Sequence, residues 1–208
     1  MLRSRQHRRS DGFTLLELMI VVTVIAVMAA VAGPSIAAGV QEQRSARAAS
    51  DMVRLMTRAR SASQGYGRAY LARYTAVSGG GNGSIQVYRG LNNRCNATDW
   101  PTVMLGTCAS NPLCIESLDM REYARGDQTV RMRAPGHNPL DICFEPSGRT
   151  FYRRSASGIG GRFTDRNTSA DRLFGGFRFS FVRRVGGTPK GVTRWVVVPL
   201  GGDARVLR

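Results

Sequence analysis

One carboxylate stands inside an otherwise apolar run. Glu17 lies within Phe13-Thr14-Leu15-Leu16-Glu17-Leu18-Met19-Ile20-Val21-Val22, and no other charge occurs from Leu18 to Val40. A lone acid near the start of a membrane-length helix costs about 2.5–3.5 kcal/mol in lipid, so it marks a functional position by default. Just before the run, a leader carrying Arg3, Arg5, Arg8 and Arg9 against Asp11 ends in Gly12. The other reactive side chains are the cysteines Cys95, Cys108, Cys114 and Cys143. None form a C-x-x-C pair, which argues against redox and zinc chemistry. Cys143 with His137 is the one pairing that metal binding would use, and His137 sits alone in the turn Pro135-Gly136-His137-Asn138-Pro139. There is no Gly-x-Ser-x-Gly elbow, phosphate loop or paired-carboxylate spacing. The expectation is a protein that is not an enzyme, with no metal, cofactor or small-molecule substrate.

The element that carries Glu17 must be a helix. Crossing a bilayer takes about 20 apolar residues, and Phe13 to Val40 supplies them. The leader arginines hold the start of the chain on the cytoplasmic side. The remainder then lies in the periplasm of a double-membrane bacterium, anchored as a single pass in the inner membrane. The alternative is a secretory signal peptide cut at Ala30-Val31-Ala32. The apolar stretch is longer than the usual core of about 7–15 residues, and such a core has no use for an acid. Pro34 lacks an N–H and is expected to kink or locally melt the helix, helped by Gly33 and Gly39.

The pattern from Arg8 to Val22 closely resembles the prepilin cleavage and methylation motif of type IV pilins and type II secretion pseudopilins. The resemblance implies that a prepilin peptidase cuts between Gly12 and Phe13 and methylates the Phe13 amine. It also implies a role for Glu17 in assembly: its carboxylate neutralises the N-terminal amine of a neighbouring subunit, or that of its own helix, which would otherwise be buried unpaired. A bend at Pro34 fits the same family. The chain then divides into a leader (1–12), a transmembrane and assembly helix (13–40) and a periplasmic domain (41–208).

The formal net charge is +16, carried almost wholly by arginine, with Lys190 the one lysine. It concentrates between Arg149 and Arg208, where the carboxylates are Asp165, Asp171 and Asp203. Such clusters attract polyanions, although an arginine-rich composition also produces a merely solvated basic surface. The cysteines follow the membrane run, on the side where disulfides persist. Four cysteines allow three connectivities; nearness in the chain favours Cys95–Cys108 and Cys114–Cys143.

Beyond the membrane run, Ala49, Met52, Val53, Met56 and Ala59 recur at helical steps, with Arg44, Arg47, Arg54, Arg58 and Arg60 on the other faces. This predicts an amphipathic helix over 41–63 that packs on a sheet and ends at Gly65 and Gly67. Strands are expected over 68–77, 84–88, 129–133, 142–144, 150–152, 177–181 and 192–198, with a short one at 205–208. Residues 91–115 read as a stapled loop and 153–172 as a loop. The fold class is α+β, a long N-terminal helix on an antiparallel sheet.

The helix end Arg58-Ala59-Arg60-Ser61-Ala62, the turn Phe144-Glu145-Pro146-Ser147-Gly148-Arg149 and the closing Arg194-Trp195-Val196-Val197-Val198 before Gly201-Gly202 resemble the GspH/FimT branch of pilin-like proteins. That resemblance implies a minor pilin of a type IV pilus, acting in assembly and DNA uptake, or a minor pseudopilin of a type II secretion system. Its partners would be prepilin peptidase, other pilin subunits, the inner membrane and double-stranded DNA. DNA-binding members carry Gly-Arg-x-Arg near the C-terminus; here Gly202-Asp203-Ala204-Arg205-Val206-Leu207-Arg208 spaces the arginines differently. The phosphate-contacting set is expected to be Arg183, Arg184, Lys190, Arg194, Arg205 and Arg208, on one edge of the domain.

Overall fold

The computed structural model describes residues 14–76, 82–96, 100–104, 108–134, 138–154, 163 and 175–207, with backbone alone at 31–38, 41, 101–102 and 154. The chain divides into two compact units, 1–41 and 42–208. Helix α1 (Leu15–Tyr66) belongs to both. The backbone stays helical through Pro34. A proline removes one hydrogen bond while its own φ remains helical, so a kink is compatible with this backbone. Gly65 is still helical; Gly67, at φ 64°, takes the left-handed conformation that stops the helix.

The 42–208 unit contains two antiparallel sheets rather than the single sheet anticipated. Sheet A orders its strands β3-β2-β1-β5-β6 and sheet B β4-β7-β8-β9. The strands are β1 (Tyr70–Thr75), β2 (Ser84–Arg89), β3 (Cys114–Asp119), β4 (Gln128–Arg133), β5 (Leu140–Phe144), β6 (Thr150–Arg154), β7 (Gly176–Val185), β8 (Thr188–Pro199) and β9 (Arg205–Leu207). The stretch read as a stapled loop also holds the short helix α2 (Trp100–Val103) and the start of β3, and a 3-10 turn follows at Met120–Tyr123.

The inner face of α1 fills the space between the sheets. Ala49, Met52, Met56 and Ala59 are buried as expected, Val53 is half-buried, and Ala48 and Leu55 complete the stripe. They share one core with Tyr74, Ile85, Ile142, Phe179, Phe181 and Val196. Tyr74 meets Phe179 edge-on at 5.5 Å, and Tyr152 meets Phe177 at 4.7 Å, so aromatic pairs join sheet A to sheet B. Every buried side chain among the described residues lies in 42–208, so this unit carries its own core.

Sheet A is covered on its other face as well. Leu71, Tyr88, Cys143 and Phe151 pack there against Cys95, Trp100, Val103 and Phe163. Trp100 satisfies its indole by donating to the Cys95 carbonyl at 2.8 Å. Arg153, assigned from sequence to a loop, instead lies in β6 and is buried. It donates to Asp141 Oδ2 from Nε at 3.0 Å and Nη2 at 2.7 Å, while Arg73 holds the same carboxylate bidentately at 2.7 and 2.8 Å. Burial alone would push the Arg73 guanidinium down; the hydrogen bonds and charge of Asp141 outweigh it and hold it above its ordinary range. Removing one member of such a set leaves buried charge uncompensated. Asp141→Asn should therefore cost about 3–5 kcal/mol, read as a lower urea midpoint for the chain from Gln41 onwards. A loss within experimental error would show that the cluster does not hold sheet A together.

Candidate functional site

Thr14 and Glu17 build the start of α1. The Glu17 N–H donates to Thr14 Oγ1 at 3.2 Å, and the Leu18 N–H to the Thr14 carbonyl at 3.2 Å. Thr14 is thus the N-cap and Glu17 the third helical residue, the Thr-x-x-Glu spacing of a capping box. A carboxylate there also meets the positive end of the helix dipole. This signal was present in the sequence and is separate from any pairing with an amine. Gly12 and Phe13, which flank the expected cleavage point, lie outside the described residues.

Every described side chain from Thr14 to Ala30 is exposed, Leu15 at 78% and Ile25 at 60%. A helix apolar on all sides needs lipid or other helices around it. Among the described residues no helix is long and apolar enough to cross a membrane. The continuous stretch of described side chains stops at Ala30. Only the backbone is described at Pro34.

Glu42, not singled out from sequence, opens the second unit and grips the β7–β8 hairpin. Arg194 Nη1 donates to Glu42 Oε2 at 3.0 Å and to Ser45 Oγ at 2.5 Å; the Val192 N–H donates to Glu42 Oε1 at 3.2 Å. Gly191, at φ +77°, permits this approach, since a Cβ there would run into the Glu42 carboxylate.

Of the six expected DNA-contacting residues, the structure describes five, in different places of sheet B. Arg194 is engaged with Glu42 and is largely covered. Arg183 stands opposite Lys190, and Arg184 opposite Pro189, around the Gly186–Gly187 turn. Arg184 is tied down through Nε, which donates to the Gly187 carbonyl at 2.6 Å. Arg205 lies opposite Val197, at the far end of β8, about 30 Å from that turn at roughly 3.3 Å per residue. The strand pairing thus sets Arg205 apart from the hairpin residues Arg183, Arg184 and Lys190. Arg208 and His137 lie outside the described residues. The register instead puts Arg131 and Arg133 of β4 on one face of sheet B with Arg184 of β7. Burial, and then the charges of Arg133 and Arg184, pull the Arg131 guanidinium below its ordinary range. Strand alternation was the signal that would have placed these two arginines.

The cysteines form two disulfides, Cys95–Cys143 and Cys108–Cys114, with Cα separations of 5.8 and 5.1 Å. This corrects the pairing favoured from chain proximity. Cys143 is central in sheet A, opposite Leu71, and Cys95 is folded down over it beside Trp100, so neighbours in space are not neighbours in sequence. With its sulfur in a disulfide, Cys143 offers no thiolate to a metal. Among the described residues no three His, Cys, Asp or Glu side chains gather as a metal site.

A family profile described as the prokaryotic N-terminal methylation motif matches residues 7–33. It spans Gly12, Phe13 and Glu17 and supports a type IV pilin-like protein, processed by prepilin peptidase and assembled with other pilin subunits. The α+β architecture, with its N-terminal helix on antiparallel sheets, is compatible with a pilin fold. No curated protein and no solved structure matches the chain.

The disulfide that closes the longer loop constrains the unfolded chain more. Paired alanine substitution of Cys95 and Cys143 should cost about 2–5 kcal/mol, and that of Cys108 and Cys114 less, in urea unfolding. Proteolysis without reductant should release Cys95 linked to Cys143; recovery of Cys95 linked to Cys108 would contradict the pairing.

Proposed function

We propose that this chain is a minor subunit of a type IV pilus, related to the GspH/FimT branch, whose α1 start enters the inner membrane and then the helix bundle of the filament while residues 42–208 face the periplasm. The observation that supports this most directly is the conjunction at the N-terminus. A methylation motif, a capped helix with Glu17 in its first turn and a fully exposed apolar surface follow one another within Gly12–Ala30. An apolar helix with one carboxylate suits two successive environments, lipid before assembly and packed helices after it. In either, Glu17 is matched by a Phe13 amine that processing creates. The role is structural rather than catalytic.

Co-expression with a prepilin peptidase should give a chain that begins at methylated Phe13, seen by intact mass, and Gly12→Leu should block the cut. Glu17→Ala should leave membrane insertion intact, because it removes a charge from lipid, and should lower recovery in sheared pili. A start after Ala32 would favour the secretory signal peptide instead. Deletion that leaves pili intact while blocking secretion of folded proteins would favour the type II pseudopilus.

Contact with double-stranded DNA belongs to the same proposal, with the exposed side chains of Lys190 and Arg205 and the hairpin Arg184 as candidate groups. Binding through phosphates would weaken with salt by a log–log slope of about −0.9 per contact. Fluorescence anisotropy at low salt should show affinity lost in the double reversal Arg184→Glu, Arg205→Glu. No binding at low salt, or binding unchanged by the reversal, would remove DNA from the role.

A further inference from the structure

The β7–β8 hairpin occupies one particular end of the 42–208 unit. β8 runs alongside α1: the Leu200 carbonyl accepts from Arg60 Nη2 at 3.4 Å, and Arg194 donates to Ser45 and Glu42. Followed backwards from Arg194, the strand therefore passes the start of the helix within this unit. The stretch from Arg194 back to Thr188 covers about 20 Å at roughly 3.3 Å per residue. The Gly186–Gly187 turn thus projects from the end of the unit where the chain enters at residue 42. β4 stiffens the projection, because Gln128 pairs with Val185 beside the turn.

The tip is exposed and basic. Every residue from Gly186 to Val192 is exposed, Lys190 among them. Arg184 lies across the strand pair from Pro189, and its Nε donates to the Gly187 carbonyl at 2.6 Å, which fixes the guanidinium against the turn. Arg131 and Arg133 share the face of Arg184, and the charges of Arg133 and Arg184 bear on Arg131. The four strands of sheet B contain no Asp or Glu. Asp127 stands beside the turn, its carbonyl accepting from the Gly186 N–H at 3.2 Å, and Arg125 offsets its charge. An excess of positive charge remains at the tip, next to the exposed apolar ring of Pro189.

Such a tip suits a surface of mobile anions. Duplex phosphates sit on a fixed helix, and few of them can meet a projection one hairpin wide. Lipid headgroups diffuse laterally and gather around it, and their boundary with the acyl region accepts an apolar group. Connectivity points the same way, since Val40, the last residue of the apolar run, closely precedes Glu42 in the chain. We infer that the β7–β8 hairpin docks on anionic phospholipid headgroups through Arg184 and Lys190 and holds the 42–208 unit against the inner membrane before the subunit joins a filament. This rests on the reading that the helix before residue 42 enters that membrane.

The test uses the chain from Gln41 onwards, which carries its own core, and sedimentation with vesicles of phosphatidylcholine alone or with about one-third phosphatidylglycerol. Binding should occur to the anionic vesicles alone and should fall as salt rises. A cation near such a surface is worth about fivefold in partitioning, so Arg184→Gln combined with Lys190→Gln should weaken binding about 25-fold. Arg68→Gln combined with Arg89→Gln removes the same charge at the opposite end of the unit, just past the end of α1 at Tyr66, and should leave partitioning nearly unchanged. Equal losses in the two double variants, no binding to anionic vesicles at low salt, or binding to duplex DNA with none to vesicles would each overturn the inference. Insertion of the helix is read separately, by whether the full-length chain stays with membranes after alkaline carbonate extraction, so a failure of insertion and a failure of hairpin docking are told apart.

Discussion

The 42–208 unit depends on one contact: the inner stripe of α1 closed over by both sheets. Ala48, Ala49 and Ala59 let the strands come near the helix axis, while Met52, Leu55 and Met56 fill the space that remains. Burying each of the three larger side chains is worth about 1.5–3 kcal/mol. The polar neighbours of the stripe sharpen it. Ser63 donates to the Phe144 carbonyl at 2.9 Å, and Arg60 reaches Thr150 Oγ1 at 2.8 Å and the Leu200 carbonyl at 3.4 Å. One guanidinium thereby bridges sheet A and the segment that follows β8.

A protein this rich in arginine has to decide where positive charge is spent. Arg60, Arg73, Arg153 and Arg194 are drawn inward, each against a carboxylate, a hydroxyl or carbonyls, and two of them also lie over aromatic rings. Asp141 receives two of these cations, so the buried cluster keeps a net positive charge, which only dense hydrogen bonding can sustain. The cations left outside, Arg131, Arg133 and Arg205 among them, are those that can act on partners. High net charge in the sequence therefore overstated the basic surface available for binding.

The elements were legible wherever periodicity was strong. The helical stripe of α1, the alternation of Phe177, Phe179 and Phe181 and the hairpin around Ser147-Gly148 all lie where the pattern placed them. What escaped was set by distant parts of the chain. β3 has weak alternation and exists because β2 offers it an edge. Arg153 looks like the first residue of a polar loop until Asp141 is seen across the strand pair. The cysteine partners follow from sheet order, which no local spacing encodes. In the N-terminal segment, Glu17 stands out by its isolation, and the Thr14-x-x-Glu17 spacing of a capping box is equally legible there.

The continuity of α1 has a mechanical meaning. Tension applied at residue 42 enters the 42–208 unit along the helix at the centre of its core, not through a strand at a sheet edge. To extract that helix, its whole buried stripe would have to slide past two sheets at once, with the contacts breaking together. An edge strand under the same pull would unzip one hydrogen-bonded pair at a time. Glu42, gripping Val192 and Arg194 at the point where the helix enters, resists the first increment of that sliding. Pulled from residue 42, the core of the 42–208 unit would therefore yield as a whole rather than strand by strand.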